Sequence, residues 1–270
     1  MTKKKLIFGA LIFVALLAMY LPILLLVVFS FSETNVLRLD NFEFGFGLWR
    51  DLFSHERIWR AVFNTILIAV LSAGIAVIIG TMACVSIQRM RRRSRGLLVG
   101  LSQTPLINAD IVTSFSLVMF FVTIGMFNMG FVKLILAHTL ICIPIVILII
   151  LPRLKSLDQS LFDAAMDLGA KPSQALFQVV IPQLMPAMMG AFLVGFTLSI
   201  NDFVIAQFNN DGVDTISTLV FGYARARHGI PPEFRALSAL IFVTVVLAVV
   251  LVNLRLRKKV RKRENSREKG

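Results

Sequence analysis

Asp110 and Asp202 are the two acidic side chains that interrupt long apolar runs of this chain. A charge at the centre of a membrane helix costs about 2.5–3.5 kcal/mol on insertion scales, so a carboxylate placed there is a functional candidate. Counted from Gly96 and from Pro186 at 1.5 Å per residue, both lie roughly 21–24 Å along their runs, at similar depth. Two carboxylates facing one cavity would attract a cation and reject an anion. Each also has a plainer role open to it. Asp110 could cap a half-helix beginning at Ile111, and Asp202 could pair with an arginine of an outer loop. His138, in a third apolar run, could relay protons, but we read it as a neutral, hydrogen-bonded packing residue. Three histidines and the separated Cys84 and Cys142 assemble neither a nucleophile–base–orienter set nor a metal cluster. No Gly-x4-Gly-Lys-Ser/Thr phosphate loop is present. The chain is therefore expected to be no enzyme and to hold no cofactor of its own.

The elements that must carry these acids are membrane spans. The chain has 270 residues, 57% of them hydrophobic, and a mean hydropathy of +0.82. A span needs about 20 apolar residues, and the sequence divides into six such runs with little left for a soluble domain. We place them at about 6–31, 61–87, 97–127, 131–151, 186–208 and 233–254, giving an all-α polytopic membrane protein. The first run, 26 residues long and preceded by Lys3, Lys4 and Lys5, reads as an uncleaved helix rather than a secretory signal. Between the first two runs, Trp49 to Phe53 reads as a short amphipathic helix at the interface, following Phe42, Phe44 and Phe46. The third run is interrupted at Gln103-Thr104-Pro105 and Asn108-Ala109-Asp110. Irregular backbone at membrane depth survives only where it lines a cavity or is buried in protein. The polar stretch 209–232 carries Arg225, Arg227 and His228, and residues 255–270 form a basic tail expected to lack fixed structure.

The longest polar interruption between two spans has its own pattern. Leu157, Leu161, Ala164, Ala165 and Leu168 follow helical spacing and make one narrow apolar stripe, with Asp158, Asp163 and Asp167 largely off it. Gly169 supplies a stop in the left-handed region. Pro172 suits a first helical position, and a second short helix is expected to run to Pro182.

A net charge of +13 is compatible with a nucleic-acid partner, but the basic residues cluster beside apolar runs. Twenty Lys and Arg fall in the N-terminus, residues 89–95, the loop 152–185 and the tail, against eight on the other side. Cytoplasmic loops carry the excess of positive charge, so both termini and the 157–182 loop are expected in the cytoplasm, with no nucleic-acid partner and membrane lipid around the spans.

Asp163-Ala164-Ala165, then Gly169, then Val179-Val180-Ile181-Pro182 resembles the E-A-A–three–G–nine–I-x-L-P loop of membrane subunits of ABC-type importers of the MetI-like family. The spacing matches in full; Asp163, Val179 and Ile181 replace Glu, Ile and Leu. The resemblance implies that Asp163, Ala164, Ala165, Asp167, Gly169 and Pro182 dock this chain onto a separate ATPase. More narrowly, the chain is similar to permeases of spermidine/putrescine importers. The segments carrying this are Leu198-Ser199-Ile200-Asn201-Asp202-Phe203-Val204, Asp163-Ala164-Ala165-Met166-Asp167-Leu168-Gly169-Ala170, Asp110-Ile111-Val112 and Gly229-Ile230-Pro231-Pro232-Glu233. It departs from them at Asn201, where an acid is usual, and at Phe234-Arg235. The resemblance implies polyamine passage along Asp110, Asp202, Asn201, Ser199 and Trp49. It also implies a homologous sister permease, a homodimeric ATP-binding subunit holding ATP and Mg, and an extracytoplasmic polyamine-binding protein, all at the inner or plasma membrane. The alternatives are an ABC permease for another small solute, an anion or metal ion, or a self-sufficient secondary transporter. The latter usually has internal repeats, and none is visible here.

Overall fold

The computed structural model describes every residue except 1–2, 33–42, 159, 227–228 and 268–270. Phe42, Arg227 and His228 therefore lie outside the described residues. The helices are α1 (Lys3–Phe29), α2 (Gly47–Ser54), α3 (Glu56–Arg89), α4 (Arg92–Ser102), α5 (Thr104–Ile107), α6 (Asp110–Thr123) and α7 (Gly130–Lys155). They continue with α8 (Ser160–Asp167), α9 (Pro172–Ala175), α10 (Ile181–Asn201), α11 (Val204–Asn209), α12 (Ile216–Arg225) and α13 (Glu233–Arg267). Among the described residues the β pairing is confined to one isolated bridge, Ser32 to Phe44. The fold is all-α. Among the described residues five segments are long and apolar enough to cross a membrane: Leu11–Phe29, Glu56–Arg89, Gly130–Lys155, Pro172–Asn201 and Glu233–Leu251. The pair Arg92–Ile107 and Asp110–Thr123, bent by 105° at its break, makes a sixth if it counts as one span.

Two compact units divide the chain. The terminal unit, Met1–Glu56 with Tyr223–Gly270, packs α13 against α1 and α2. The amphipathic segment expected at 49–53 is α2, which buries Leu48 and Leu52. The tail expected to lack structure is instead helical backbone through Arg267, continuous with α13. From Glu233 to Arg267 there is neither Gly nor Pro, and Arg, Lys, Glu and Leu are good helix formers, so nothing in the sequence stops the helix.

The central unit, Arg57–Gly222, is built on α3, α7 and α10. Ala76, Val77, Cys84 and Ile87 of α3 meet Val146, Ile147, Ile150 and Leu154 of α7 and Leu184 and Ala191 of α10. Small residues set the closeness: a methyl group at Gly80 would lie 2.5 Å from Val146 Cγ1, which is the small-residue contact that lets membrane helices approach. A second cluster joins Ile68, Leu134 and Ala206, and a third joins Phe121, Ala137 and Ile205. These fix α11 against α6 and α7, helped by Ser114 Oγ donating to the Val204 carbonyl at 3.2 Å.

The second short helix expected to end at Pro182 does not end there. It runs on as α9, a π-helical turn at Leu176–Val180, and α10 to Asn201. The widened turn just before Pro182 absorbs the missing proline N–H, and Gln183 Nε2 donates to the Val179 carbonyl at 3.1 Å. At the other end the helix stops at Asn201, inside the span expected at 186–208, and resumes at Val204.

Candidate functional site: a two-acid cavity and a surface helix pair

The breaks in two helices bring the acids together. Asn108 and Ala109 are extended (φ −75°, ψ 150° and φ −64°, ψ 133°), so α6 starts anew at Asp110. Asp110 is exposed, and as the first residue of α6 it complements the positive end of the helix dipole. The cap position itself belongs to Ala109, whose side chain makes no bond. Capping falls to the other acid. Asp202 breaks α10 (φ −71°, ψ 128°), and its Oδ2 accepts the Ala206 N–H of α11 at 3.1 Å. Its carbonyl accepts from Ser217 Oγ at 3.2 Å. A basic side chain beside it is His138, with Nε2 3.7 Å from Oδ2.

Asp110, Asp202, Asn201, Ser199 and His138 line a single cavity of about 250 Å³. Ser199 and His138 are buried, Asp202 half-buried and Asn201 exposed. The remaining walls are Ile141, Cys142, Leu198 and Phe203 to Ile205, so the carboxylates are held on largely apolar ground. Such walls strengthen the field of an unpaired carboxylate. Trp49 belongs to the terminal unit. There its ring stacks on Phe31 at 5.6 Å, while its buried Nε1 has no hydrogen-bond partner among the described residues.

The 157–182 region forms a helix pair whose outer side is bare. Asp158 Oδ1 accepts the Ser160 N–H at 2.9 Å, and this bond holds its carboxyl below the usual carboxylate range. None of the residues of α8 is buried. Gly169, at φ +88°, closes α8 with two reverse bonds, Gly169 N–H to the Met166 carbonyl at 2.9 Å and Ala170 N–H to Ala165 at 3.1 Å. That is the Schellman arrangement, and it needs a residue at ease in the left-handed region. Pro172 is the first residue of α9, and the Gln174 side chain accepts the Lys171 N–H at 2.9 Å. Asp163, Ala164, Asp167, Gly169 and Pro182 are exposed, and Ala165 is half-buried. Leu168 is 90% exposed and Phe177 64% exposed, so two large apolar side chains stand at this tip without cover. Beneath α8, Asp163 shares a cavity of about 270 Å³ with Arg89, Leu154, Phe162, Val180 and Gln183.

Sequence reasoning weighed His138 as packing and left it out of the site. Ionisability inside a span was the signal available for it. That same reasoning had no means of seeing that Ser199 and Asp202, three residues apart, both face it.

The sequence profile described as "Binding-protein-dependent transport system inner membrane component" matches residues 76–262. The chain is 30% identical over 251 residues to the "Spermidine/putrescine transport system permease protein PotC" of Haemophilus influenzae, covering 93% of this chain and 96% of that one. It is 34% identical over 234 residues to the "Putrescine transport system permease protein PotI" of Escherichia coli, covering 84% and 82%. A bacterial ABC transporter that imports the acidic polysaccharide alginate superposes with a TM-score of 0.70 at 18% identity, over 96% of this chain and 98% of that one. The MetNI methionine ABC transporter superposes at 0.57 and 17% identity, over 74% and 94%. At these identities the two structures bear on the fold alone.

Proposed function

Because the chain belongs to the family of binding-protein-dependent transport system inner membrane components, we propose that it is a permease subunit of an ATP-driven ABC importer for polyamines. It forms half of the translocation pathway. The observation that carries the substrate class is the single cavity shared by Asp110 and Asp202. Two carboxylates on apolar walls favour an extended cation and disfavour an anion. The relatives, described as spermidine/putrescine and putrescine permeases, support the same reading.

ATP hydrolysis takes place on a separate homodimeric subunit, which holds ATP and Mg. The exposed Leu168 and Phe177 and the tight turn at Gly169 are the surface that this subunit engages. A homologous sister permease supplies the other half of the path, and an extracytoplasmic binding protein delivers the substrate. Both termini face the cytoplasm, a reading that the bias of basic residues supports. Closure of the ATPase dimer moves α8 and α9. Because α9 continues without a break into α10, the motion reaches Ser199, Asn201 and Asp202 along one helix. The coupling is rigid-body movement of packed elements, with no covalent step in this chain.

Uptake of labelled spermidine and putrescine by vesicles holding this chain, a sister permease and an ATPase tests the reading. ATP-dependent uptake, uninhibited by excess phosphate, is the expected result. ATPase activity that depends on this chain, without polyamine uptake, would move the assignment to another solute.

A further inference from the structure

His138 is 4% exposed, and its two ring nitrogens have unlike surroundings. Nδ1 lies 2.7 Å from Ser199 Oγ, a full hydrogen bond. Nε2 is buried and has no hydrogen-bond partner among the described residues. It stands 3.7 Å from Asp202 Oδ2, near enough for electrostatic contact and too far for a hydrogen bond. A buried ring nitrogen left unpaired is costly, and it marks a place where a partner is missing.

The missing partner has a definable chemistry. The Ser199 hydroxyl can accept from Nδ1–H or donate to Nδ1, so both neutral tautomers are open. When Nδ1 carries the proton, the bare lone pair of Nε2 and the Asp202 carboxylate are two acceptors side by side. A group with at least two hydrogens to donate satisfies both acceptors, and a positive charge on it also answers the carboxylate. A primary ammonium has three. A quaternary ammonium has none, and among the described residues no group of three or more His, Cys, Asp or Glu side chains could hold a metal ion. The cavity that presents Nε2 and Oδ2 is also lined by Asp110, the first residue of α6, a second acid for a second positive charge.

We propose that His138 Nε2 is a substrate ligand, sharing one primary ammonium of the transported cation with the Asp202 carboxylate. The proposal rests on the polyamine reading above and deepens it. Asp202 supplies charge, and His138 supplies the geometric demand for an N–H donor. Together they tell a primary ammonium from other cations of equal charge.

The test is uptake by vesicles holding the complete transporter, with two labelled probes of equal charge, putrescine and its analogue trimethylated on both nitrogens. His138→Asn keeps an amide near the Nδ1 position for Ser199 and removes the acceptor at Nε2. His138→Gln carries its amide out to the Nε2 position. The wild type is expected to prefer putrescine. In His138→Asn the KM for putrescine should rise about tenfold, the loss of a hydrogen bond to a charged group, with Vmax little changed. The KM for the trimethylated analogue should stay put, so selectivity collapses. His138→Gln should keep most of it. An unchanged KM for putrescine in His138→Asn overturns the proposal, as does an equal loss for both probes in both variants, which is the mark of a packing role. Wild-type vesicles that take up neither probe overturn the polyamine reading itself, a separate outcome visible before any variant is compared.

Discussion

The guanidinium carbon of Arg89, the last residue of α3, lies 5.5 Å from the centre of the Phe162 ring on α8. This cation–π contact ties the end of a buried span to a surface helix that buries none of its own residues. An element so thinly attached opens easily. An exposed contact of this kind contributes about 0.5–1 kcal/mol. Replacing Phe162 with Ala should therefore lower uptake per ATP hydrolysed by roughly two- to fivefold, with ATP hydrolysis itself retained. A transport-to-hydrolysis ratio equal to that of the wild type would show that α8 needs no such tie.

Gly169 separates backbone demand from bulk. At φ +88°, a Cβ there would meet nothing among the described residues within 4 Å. Any cost within the chain is therefore conformational, about 1–2 kcal/mol for most L-residues and less for Asn. Gly169→Val should uncouple ATP hydrolysis from uptake while the complex still assembles, and Gly169→Asn should be much milder. Equal failure of both variants, read as uptake against ATPase activity, would mean that bulk against the partner is what matters.

The α3–α7 contact gives a stability prediction independent of transport. A methyl group at Gly80 would sit 2.5 Å from Val146 Cγ1 and 3.0 Å from its Cβ. Overpacking of this kind costs about 1–3 kcal/mol. Gly80→Ala should lower the midpoint of thermal unfolding of the purified transporter, and adding Val146→Ala should recover much of the loss. Recovery is the discriminating result, because two independent destabilisations would instead add.

Much of this architecture was legible in the sequence, and what was missed has physical causes. The apolar runs place the helices, and the polar interruption at Asn108-Ala109-Asp110 marks the break that the backbone makes there. Gly169 as a left-handed stop and Pro172 as a first helical residue follow from local chemistry alone. Pro182 and Pro186 misled, because proline reads as a helix boundary. A π-helical turn, which has no compositional signature, carries the helix past Pro182 instead. The capping role weighed for Asp110 belongs to Asp202, since which acid meets a free N–H depends on where each backbone breaks. His138 shows the deepest gap. Its pairing with Ser199 crosses 61 positions, and no local pattern encodes a contact at that separation.

The central claim, that Asp110 and Asp202 of one cavity together form the cation path, is tested most directly by the double variant Asp110→Asn, Asp202→Asn. Asn at 202 can still accept the Ala206 N–H through its amide oxygen, so the break before α11 keeps its cap. Asp110 is exposed, so its neutralisation leaves the packing of α6 in place. The measurement is the initial rate of labelled spermidine uptake in vesicles, alongside assembly and ATPase activity of the same complex. The account predicts that uptake is lost while the complex assembles and hydrolyses ATP. Uptake at the wild-type rate would contradict it and return both carboxylates to a structural role.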